Sequence, residues 1–396
     1  MPAGLPHVLL FPSSYPSVQH PVKGVFYREQ AQALHEAVAR MGVVYPENRR
    51  LHTATPGTLL ENRWQVTVRE DSSVPIVRLH GWNLPSARLR QWVLVRQFRR
   101  LFQTYVQRFG RPDLLHAHTA LWGGYAASVV SEEAGIPLIV TAHSSGFRRG
   151  LYSKHEREHA SKAFSRADTV IAVSQALAQD IAPYAGTRRT HVIPNMVDTD
   201  RFCLPEASRS SSPFTLLTVA KLKANKGVDV LLRAFAQAFD SQNDVCLQIG
   251  GDGPELGRLR QLAADLGLAD HVSFLGLLSR EEVKHRMQDA NTYVSSSYVE
   301  TFGIVLVEAM ATGIPVVSTR SGGPKDIVTD ATGWLATPGN IKDLAHALQK
   351  AYAARRELPA RSAEIRSYAV THYSQPTVTR EIGAVYQSVI ASGGEK

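Results

Sequence analysis

The second half of this 396-residue chain alternates short apolar runs with segments of helical period, and this alternation constrains the fold more than any other feature. The apolar runs predict five strands, at residues 214–220, 245–250, 272–275, 292–296 and 315–318. Segments of helical period lie between them, near residues 228–239, 254–266, 280–290 and 303–312. A βαβ succession of this kind predicts a doubly wound parallel sheet with helices on both faces.

The first half repeats the pattern with more irregular stretches between its elements. Its predicted strands lie at residues 7–11, 114–117, 137–142, 169–173 and 191–193. Residues 203–213, CLPEASRSSSP, have the composition of a linker. We therefore expect an N-terminal domain over 1–202, a linker over 203–213, a C-terminal domain over 214–375, and a helix over 376–396 that packs back on the first domain. Ligands of such sheets bind at the carboxyl ends of the strands, so we expect a cleft lined by motifs that follow strands.

Composition excludes several classes of protein. Apolar residues make up 44% and charged residues 20% of the chain, as in ordinary globular proteins. No apolar run approaches the ~18 residues of a membrane-spanning helix, and the start of the chain lacks the basic region of a signal peptide. We expect a cytoplasmic protein. Cys203 and Cys246 lie far apart without metal-ligand spacing, which predicts neither a disulfide framework nor a zinc site.

The excess of positive charge lies entirely in the first half. Residues 1–195 hold 23 Lys and Arg against 13 Asp and Glu, whereas residues 196–396 hold 21 against 22. The halves therefore carry +10 and −1, which sum to the net charge of +9. Such asymmetry indicates an anionic partner for the first half, whether nucleic acid, a lipid surface or a phosphorylated substrate.

The strongest motif is SSSYVETFGIVLVEAMATGIP, residues 295–315. Glu300 follows a predicted strand, a helix is expected to start at 301–303, and Glu308 lies one turn from Ile304 on that helix. Free backbone N–H groups over 302–305, with Gly303 among them, favour a phosphate at the helix N-terminus. The two carboxylates can accept hydrogen bonds from hydroxyl groups, which favours a sugar or a ribose as the ligand.

Two further loops follow strands of the second half. VAKLKANKG, residues 219–227, brings Lys221, Lys223 and Lys226 to the carboxyl end of the first strand, a cationic site for a diphosphate. IGGDGPE, residues 249–255, is glycine-rich around Gly251 and is either a close approach to a ligand or a plain tight turn. The loop TRSGG, residues 319–323, leaves the same two alternatives.

These motifs, taken together, resemble a known family. VAKLKANKG, GGDGPE, VSFLG, ETFGIVLVEAMATGIPVVST and SGGPKDIV are similar in order and spacing to the donor-binding domain of the family 4 retaining glycosyltransferases, which have the GT-B fold. The resemblance covers residues 214–336 well and extends more thinly into the first half, through PVKGV, LHAH, VTAH, IAVS and IPNMVD. It implies two Rossmann-like domains that face each other across a cleft. It also implies transfer of a hexosyl group from a nucleotide-diphosphate sugar to a glycan or lipid-linked acceptor in cell-surface polysaccharide or glycoconjugate synthesis.

The resemblance also implies roles for individual residues. Glu300 would contact the transferred sugar and Glu308 the nucleoside ribose. The backbone of Phe302, Gly303, Ile304 and Val305 would hold the sugar and the distal phosphate. Lys221 and Lys226 would hold the diphosphate, with Gly24 approaching it from the first domain and Gly251 in the donor site. His143 would lie near the sugar, and its alternative is a structural histidine.

The sequence departs from the family pattern at two positions. Lys221 stands where the family usually has Arg, and Met196 replaces the usual Gly of a PNGVD turn. Asp198 and Asp200 form an Asp-x-Asp pattern typical of metal binding, but in similar proteins this position is a linker turn. Lysines and a helix N-terminus supply the positive field of a metal ion, so we expect no metal and no other cofactor.

The basic first domain is expected to hold the acceptor. Residues 88–111 carry seven arginines and no acid, with a stripe of six apolar residues at helical spacing. From Arg88 to Arg111 this is either a basic helix on an anionic membrane surface or a core-facing helix with a charged solvent face. Arg148 and Arg149 form a second cationic spot, either a grip for an acceptor phosphate or a solvated turn.

Rival functions remain open at this point. They are another GT-B activity, such as a nucleotide-sugar epimerase or a phosphorylase, and a non-catalytic nucleotide-sugar-binding protein. A nucleic-acid-binding function is disfavoured, because no basic and aromatic motif of a known module is present.

Overall fold

A computed structural model describes residues 5–17, 20, 23–35, 37–83, 87–206, 209, 213–239 and 244–393. Some sequence-based expectations lie outside the described residues. These are the first four residues of the chain, Pro21 and Val22 of the loop before Gly24, residues 207–208 and 210–212 of the linker, the last three residues, and the side chain of Arg88.

The chain divides into two compact units. Unit 1 comprises Met1–Val173, Leu177–Ile193 and Val378–Lys396, and unit 2 comprises Ser174–Ala176 and Pro194–Thr377. Residues 194–202, which the sequence placed in the first domain, therefore belong to unit 2. The physical reason is that Val197 N donates to Tyr373 O at 2.8 Å, while the ring of Phe202 is fully buried. The last helix, from residue 378 on, lies in unit 1.

The helices and strands follow in chain order. The strands are β1 (His7–Phe11), β2 (Arg40–Arg50), β3 (Val66–Asp71), β4 (Val74–Asn83), β5 (Leu114–His118), β6 (Leu138–Ala142), β7 (Thr169–Ala172), β8 (Thr190–Val192), β9 (Phe214–Val219), β10 (Val245–Gly250), β11 (Val272–Gly276), β12 (Thr292–Ser295), β13 (Val316–Thr319) and β14 (Gly333–Ala336). The helices are α1 (Val25–Leu34), α2 (Pro56–Glu61), α3 (Ala87–Phe109), α4 (Tyr125–Ala134), α5 (Lys154–Arg166), α6 (Gln175–Ala185), α7 (Val228–Ala238), α8 (Leu256–Asp265), α9 (Arg280–Asp289), α10 (Ile304–Ala311), α11 (Pro324–Ile327), α12 (Ile341–Ala353), α13 (Leu358–Tyr373) and α14 (Gln375–Gly393).

The sheet of unit 2 is parallel and doubly wound, as expected. In the part of unit 2 that the structure describes, it has six strands in the order β11-β10-β9-β12-β13-β14. All five neighbouring pairs run parallel. The order reverses beside β9, which lies between β10 and β12, and ligands of open α/β sheets bind at such a switch point.

The sheet of unit 1 is also parallel, with one antiparallel edge. Its described strands number eight and follow the order β3-β4-β2-β1-β5-β6-β7-β8, with only the β3–β4 pair antiparallel. Every residue of β1, β5, β6 and β7 is buried. Parallel strands covered by helices on both faces read as continuous apolar runs, which explains why these four were recognisable in the sequence. The order reverses beside β1, which lies between β2 and β5.

Elements without a clear apolar period escaped the sequence analysis. They are β2, β3, β4 and the short helix α2 in unit 1, and β14 and α13 in unit 2. Among the described helices, none is long and apolar enough to cross a bilayer.

Candidate functional site

The loops after β9 and β12 meet at the switch point of the unit 2 sheet. Tyr298 N donates to Asn225 O at 3.0 Å, and Ser296 Oγ donates to Lys226 O at 3.0 Å. A 3₁₀ turn over Ala224–Lys226 precedes α7 and places Lys226 at this junction. The topology thus brings together two motifs that lie about seventy residues apart in the chain.

Lys226 and Glu300 form an ion pair across this junction. Lys226 Nζ donates to Glu300 Oε2 at 2.7 Å, and both side chains remain partly exposed. The backbone of Glu300 is fixed on both sides, because its N–H donates to Ser321 O at 3.1 Å and its carbonyl accepts from Gly323 N at 2.9 Å. The loop over residues 319–323 therefore fixes the backbone of Glu300, and through it the position of the carboxylate. A partly solvated pair can exchange one partner for a ligand at small cost.

Helix α10 begins at Ile304, later than the motif predicts. Gly303 precedes it with a left-handed backbone, φ 108°, which favours glycine, and no side chain caps the helix. The first-turn N–H groups of Ile304 and Val305 have no partner within the helix. The ring of Phe302 is buried against Tyr373, so only the backbone of Phe302 can serve a ligand.

Glu308 is the buried carboxylate of the site. Its residue exposure is 1%, and Arg280 Nη1 donates to its Oε1. Arg280 is the first residue of α9, and its guanidinium lies 5.0 Å from the centre of the Phe202 ring. Charge pairing explains how a carboxylate is tolerated at this depth. Arg280 is not among the residues predicted from the sequence, although the Ser279 to Glu282 capping box after β11 marks this helix start.

Lys221 and Lys223 lie in the loop after β9, and Gly251 lies in the loop after β10. Lys221 and Lys223 are exposed on either side of the buried Leu222. Gly251 approaches its own chain, because a Cβ there would lie 1.9 Å from Ala220 O, and its N–H donates to Gly276 O at 2.6 Å. The glycine at 251 is therefore required by the packing of two loops, which is the tight-turn alternative.

In unit 1 the structure brings Gly24 and His143 to one place. Gly24 has φ 79°, and a Cβ there would lie 2.6 Å from Ser14 O, so glycine fits this close approach at the start of α1. In the first turn of α1, the rings of Phe26 and Tyr27 contact the ring of His143, with centroids 5.3 and 5.5 Å away. The segment that starts at Gly24 thus packs directly on His143.

His143 is the outermost member of a row of histidines that the sequence analysis did not recognise. His118 Nδ1 lies 2.9 Å from His143 Nε2, and the rings of His116 and His118 are 4.4 Å apart. His116 Nδ1 lies 2.8 Å from the Tyr386 hydroxyl of α14. Burial lowers the pKa of His116 to about 3 and the pKa of His118 well below its usual value, so both rings are neutral near pH 7. The alternation in LHAH was the available signal, because it puts both rings on one face of β5.

The two arginines expected to grip an acceptor phosphate differ in their surroundings. Arg148 Nε donates to both carboxylate oxygens of Asp180, at 3.1 and 2.9 Å. Arg149 is exposed, and its backbone N–H donates to Ser145 O at 3.1 Å. Arg148 thus already has an anionic partner within unit 1.

Helix α3 packs its apolar stripe into the core of unit 1. Val95, Phe98 and Tyr105 are buried, whereas Trp92 is 53% exposed. Arginines of this segment bind neighbouring elements: Arg99 pairs with Glu133, and Arg111 donates to Ala134 O at 2.5 Å. The stripe is therefore core-facing, apart from the first turns of the helix.

The Asp-x-Asp pattern has a local structural role. Asp198 Oδ1 accepts from Arg201 N at 2.9 Å, which closes a turn at this position. Within the part of the chain that the structure describes, no three His, Cys, Asp or Glu side chains are grouped to hold a metal ion.

Comparison with known proteins identifies similar families for both halves. The family model described as "Glycosyltransferase Family 4" matches residues 24–201, and the one described as "Glycosyl transferases group 1" matches residues 204–367. The Bacillus subtilis protein TuaC, whose name assigns it to teichuronic acid biosynthesis as a glycosyltransferase, is 29% identical over 368 residues. These residues cover 87% of this chain and 88% of TuaC.

Solved structures extend the similarity to the whole fold. Sucrose-phosphate synthase from Thermosynechococcus elongatus has a TM-score of 0.78 at 20% identity and covers 98% of this chain and 100% of its own. Anabaena Alr3699/HepE in complex with UDP has a TM-score of 0.73 at 23% identity, over 96% of this chain and 100% of its own. The expectation of a GT-B fold is confirmed.

Proposed function

Since this chain belongs to the family 4 glycosyltransferases, with the GT-B fold, we propose that it transfers a hexosyl group from a nucleotide-diphosphate sugar to a hydroxyl of a glycan or lipid-linked acceptor, with retention of configuration. The observation that carries the proposal is the pair of ion pairs in unit 2, Lys226 with Glu300 and Arg280 with Glu308, which flank the N-terminus of α10. The ion pairs offer cations and acceptors for hydroxyl groups, and the first turn of α10 offers backbone N–H groups at the same edge of the sheet.

Each part of the donor has a partner in this arrangement. The diphosphate binds Lys221, Lys226 and the N–H groups at the start of α10, where the helix dipole is positive. Glu308 accepts hydrogen bonds from the ribose hydroxyls, and Glu300 accepts them from the sugar. On binding, the diphosphate replaces Glu300 as the partner of Lys226, which frees the carboxylate for the sugar.

The chemical step depends on stabilising the leaving diphosphate. Lys221 and Lys226 face the oxygen that gains charge as the glycosidic bond breaks, and fixed positive groups there lower the barrier. The acceptor hydroxyl attacks from the face that the diphosphate leaves, so configuration is retained. His143 of unit 1 is the histidine that we propose for the sugar, and within unit 1 it contacts His118 and the rings of Phe26 and Tyr27.

We also propose that transfer needs no metal ion. Two lysines and a helix N-terminus supply the positive field, and Asp198 is engaged with Arg201 in a turn. Activity is therefore expected to persist in excess EDTA. Complete loss that Mg²⁺ or Mn²⁺ restores would revive Asp198 and Asp200 as ligands.

The acceptor belongs to cell-surface polysaccharide or glycoconjugate synthesis, at the cytoplasmic face of a membrane. TuaC, with a name from teichuronic acid biosynthesis, supports this class of acceptor. A set of large apolar side chains is exposed between residues 51 and 92 of unit 1: Leu51, Leu59, Leu60, Trp64, Leu89 and Trp92. The guanidinium of Arg96 lies over the Trp92 ring, 3.7 Å from its centre, and Arg100 Nη1 donates to Trp64 O at 3.0 Å. Apolar side chains with arginines among them suit an anionic lipid surface.

Vesicle sedimentation tests the membrane contact. Vesicles with anionic lipid should retain the protein, neutral vesicles should not, and Trp92→Ala should weaken retention. Equal retention on both kinds of vesicle would contradict the proposal.

A donor screen tests the enzymatic proposal. A true donor stabilises the folded state by mass action, so thermal shifts with UDP-, GDP- and ADP-sugars identify the base. UDP-sugars come first because HepE, of the same fold, was solved with UDP. Product analysis with and without acceptor then separates transfer from epimerisation or phosphorolysis. No shift with any nucleotide sugar would overturn the proposal.

A further inference from the structure

Unit 1 contains a cavity of about 340 Å³ beside β2 and β4. Tyr15 of the loop after β1 and Arg28 of α1 close it on one side, and Arg69 of β3 and Arg78 of β4 on the other. The volume lies at the lower end of the range for small-molecule sites and suits a single sugar or polyol unit.

One arginine of the cavity serves the protein itself. Arg78 Nη1 donates to Glu47 Oε2 at 2.7 Å, and Arg78 Nη2 donates to Pro16 O at 2.7 Å. Burial alone would raise the pKa of Glu47, but hydrogen bonds from Arg78 and Ser17 outweigh it and hold this pKa below the usual value. Arg78 and Glu47 therefore neutralise each other and fix the loop after β1.

Other polar groups of the cavity are buried without a partner. Tyr15 is only 3% exposed, and among the described residues neither its hydroxyl nor Arg28 Nε has a hydrogen-bond partner. Buried polar groups in proteins are nearly always paired, so two unpaired ones in a single cavity favour a polar ligand at this site. Arg69 is exposed and contributes its positive charge to the lining of the same cavity.

The acidic residues of the cavity do not cancel its positive field. Besides Glu47, they are Glu70 and Asp71, and Asp71 Oδ1 accepts from Gln32 Nε2 at 3.1 Å. Burial lowers the pKa of His80 in the wall; Glu47 opposes this, while Arg78, Arg49 and Arg69 add to it. The positive charge thus reaches into the cavity, while Glu70 and Asp71 remain as acceptors for hydroxyl groups.

We propose that this cavity binds an anionic group, a phosphate or a carboxylate, on a hydroxyl-bearing acceptor. Tyr15 Oη and Arg28 Nε donate to the anion inside the cavity, Arg69 contributes charge at the rim, and Asp71 accepts from a hydroxyl. This assignment rests on the glycosyltransferase function proposed above and names the class of its acceptor. Arg148, the arginine expected to grip such a group, is instead paired with Asp180.

Helix α1 connects this cavity to the histidines. Tyr27 contacts the rings of His118 and His143, and the next residue, Arg28, lines the cavity. An acceptor anchored by its anion in the cavity can therefore extend along α1 towards His143. Such anchoring lowers the entropic cost of orienting the acceptor for attack.

Binding of simple probes to the full chain tests the site without turnover. The probes are inorganic phosphate, glucose 6-phosphate, glucuronate and glucose, measured by calorimetry with the donor site filled by UDP and with it empty. We expect the anionic probes to bind and glucose not to bind. Phosphate and glucuronate distinguish a preference for phosphate from a preference for carboxylate.

Three variants assign the binding to the cavity. Tyr15→Phe removes only the unpaired hydroxyl and Arg69→Gln removes an exposed charge, so neither is expected to unfold unit 1. Arg189→Gln, an exposed arginine elsewhere in unit 1, is the matched control. Arg69→Gln should weaken anion binding at least about tenfold, because charge-assisted hydrogen bonds are the strong ones. Equal binding by Arg69→Gln and Arg189→Gln, or loss only in Lys226→Ala, would place the anion outside this cavity and overturn the proposal.

Kinetics separate this inference from the function on which it rests. We expect Arg69→Gln to raise the KM for an anionic acceptor and to leave donor affinity unchanged. If nucleotide sugars bind and transfer proceeds with the same KM in both proteins, the inference is wrong and the function stands. If no nucleotide sugar binds while the cavity still takes anions, the proposed function is wrong and the anion site stands.

Discussion

The two units hold charge in opposite ways. In unit 2 each candidate carboxylate already has a cation beside it, Lys226 for Glu300 and Arg280 for Glu308. In unit 1 the neutral rings of His116 and His118 lie on β5, and in the neighbouring cavity the buried Tyr15 hydroxyl and Arg28 Nε have no hydrogen-bond partner among the described residues. A site with both signs of charge suits a donor with phosphates and hydroxyls, whereas a site with excess positive charge suits an anion.

This difference also predicts how stable the charged and polar groups of each site are without a ligand. Paired charges in unit 2 are stable without ligand, because each ion keeps a partner when the donor leaves. The orphaned groups of unit 1 gain a partner only when an anion arrives. Substitutions should therefore disturb donor binding through unit 2 and acceptor binding through unit 1, and the following measurements test that division.

The largest effect on donor affinity is expected at Glu308. Glu308→Ala removes the proposed ribose acceptor and the carboxylate that accepts from Arg280, so donor affinity should fall by about five- to 150-fold, or ~1–3 kcal/mol. Calorimetry with the identified nucleotide sugar measures this, and Glu364→Ala, an exposed glutamate of unit 2, is the control. Unchanged donor affinity in Glu308→Ala would contradict the assignment.

The lysines of the loop after β9 should differ from one another. Lys221→Ala and Lys226→Ala each remove a positive charge from the proposed diphosphate site. The diphosphate becomes more negative in the transition state, so the loss should cost at least ~2 kcal/mol, or more than tenfold in turnover. Lys221→Arg should retain activity, because it keeps the charge. Lys223→Ala is the matched control with little expected effect. If turnover at saturating donor falls mainly in Lys223→Ala, the diphosphate assignment is wrong.

Acid should destabilise unit 1 through its buried histidines. His116 and His118 are neutral in the folded state, with pKa values lowered by burial, whereas in the unfolded chain they take up protons below pH 6.5. The unfolded state then binds more protons, so the free energy of unfolding falls as the pH drops below 6.5, by about 2 kcal/mol for each histidine and about 4 kcal/mol for the two together at pH 5. The contribution is fully present above pH 6.5.

Tryptophan fluorescence can follow unit 1 separately. Four of the five tryptophans lie in unit 1, and Trp334 lies in unit 2, so Trp334→Phe leaves a signal from unit 1 alone. Denaturant titrations of this variant between pH 7 and 5 should show the loss of stability, and His116→Gln should reduce the slope. A stability of unit 1 that is constant over this range would contradict the role of the histidines.

The smallest effect is expected at Glu300. Glu300→Gln keeps one acceptor oxygen but loses the charge, so turnover should fall about three- to tenfold, or ~0.5–1.5 kcal/mol. Binding of the nucleoside diphosphate alone should change less, because the proposed contact of Glu300 is with the sugar. Equal loss of turnover and of diphosphate affinity would place Glu300 at the phosphates instead.

The sequence by itself determined the parallel sheets and most of the unit 2 site. Strands such as β1 and β6 are buried on both faces, so their apolar runs are continuous and visible. Lys226, Glu300 and Glu308 lie in loops or helix starts directly after strands, and the carboxyl ends of parallel strands share one edge. Local order along the chain was therefore enough to predict that these residues belong to one region.

Only the tertiary structure decided which side chains pair and which stay unpaired. Arg280 comes from α9 and meets Glu308 across 28 residues, and Tyr386 comes from the last helix to meet His116. The cavity of Tyr15 and Arg28 depends on β3 and β4, whose charged residues hide any apolar period. Pairing of this kind is set by distance in space, which no local period in the sequence encodes.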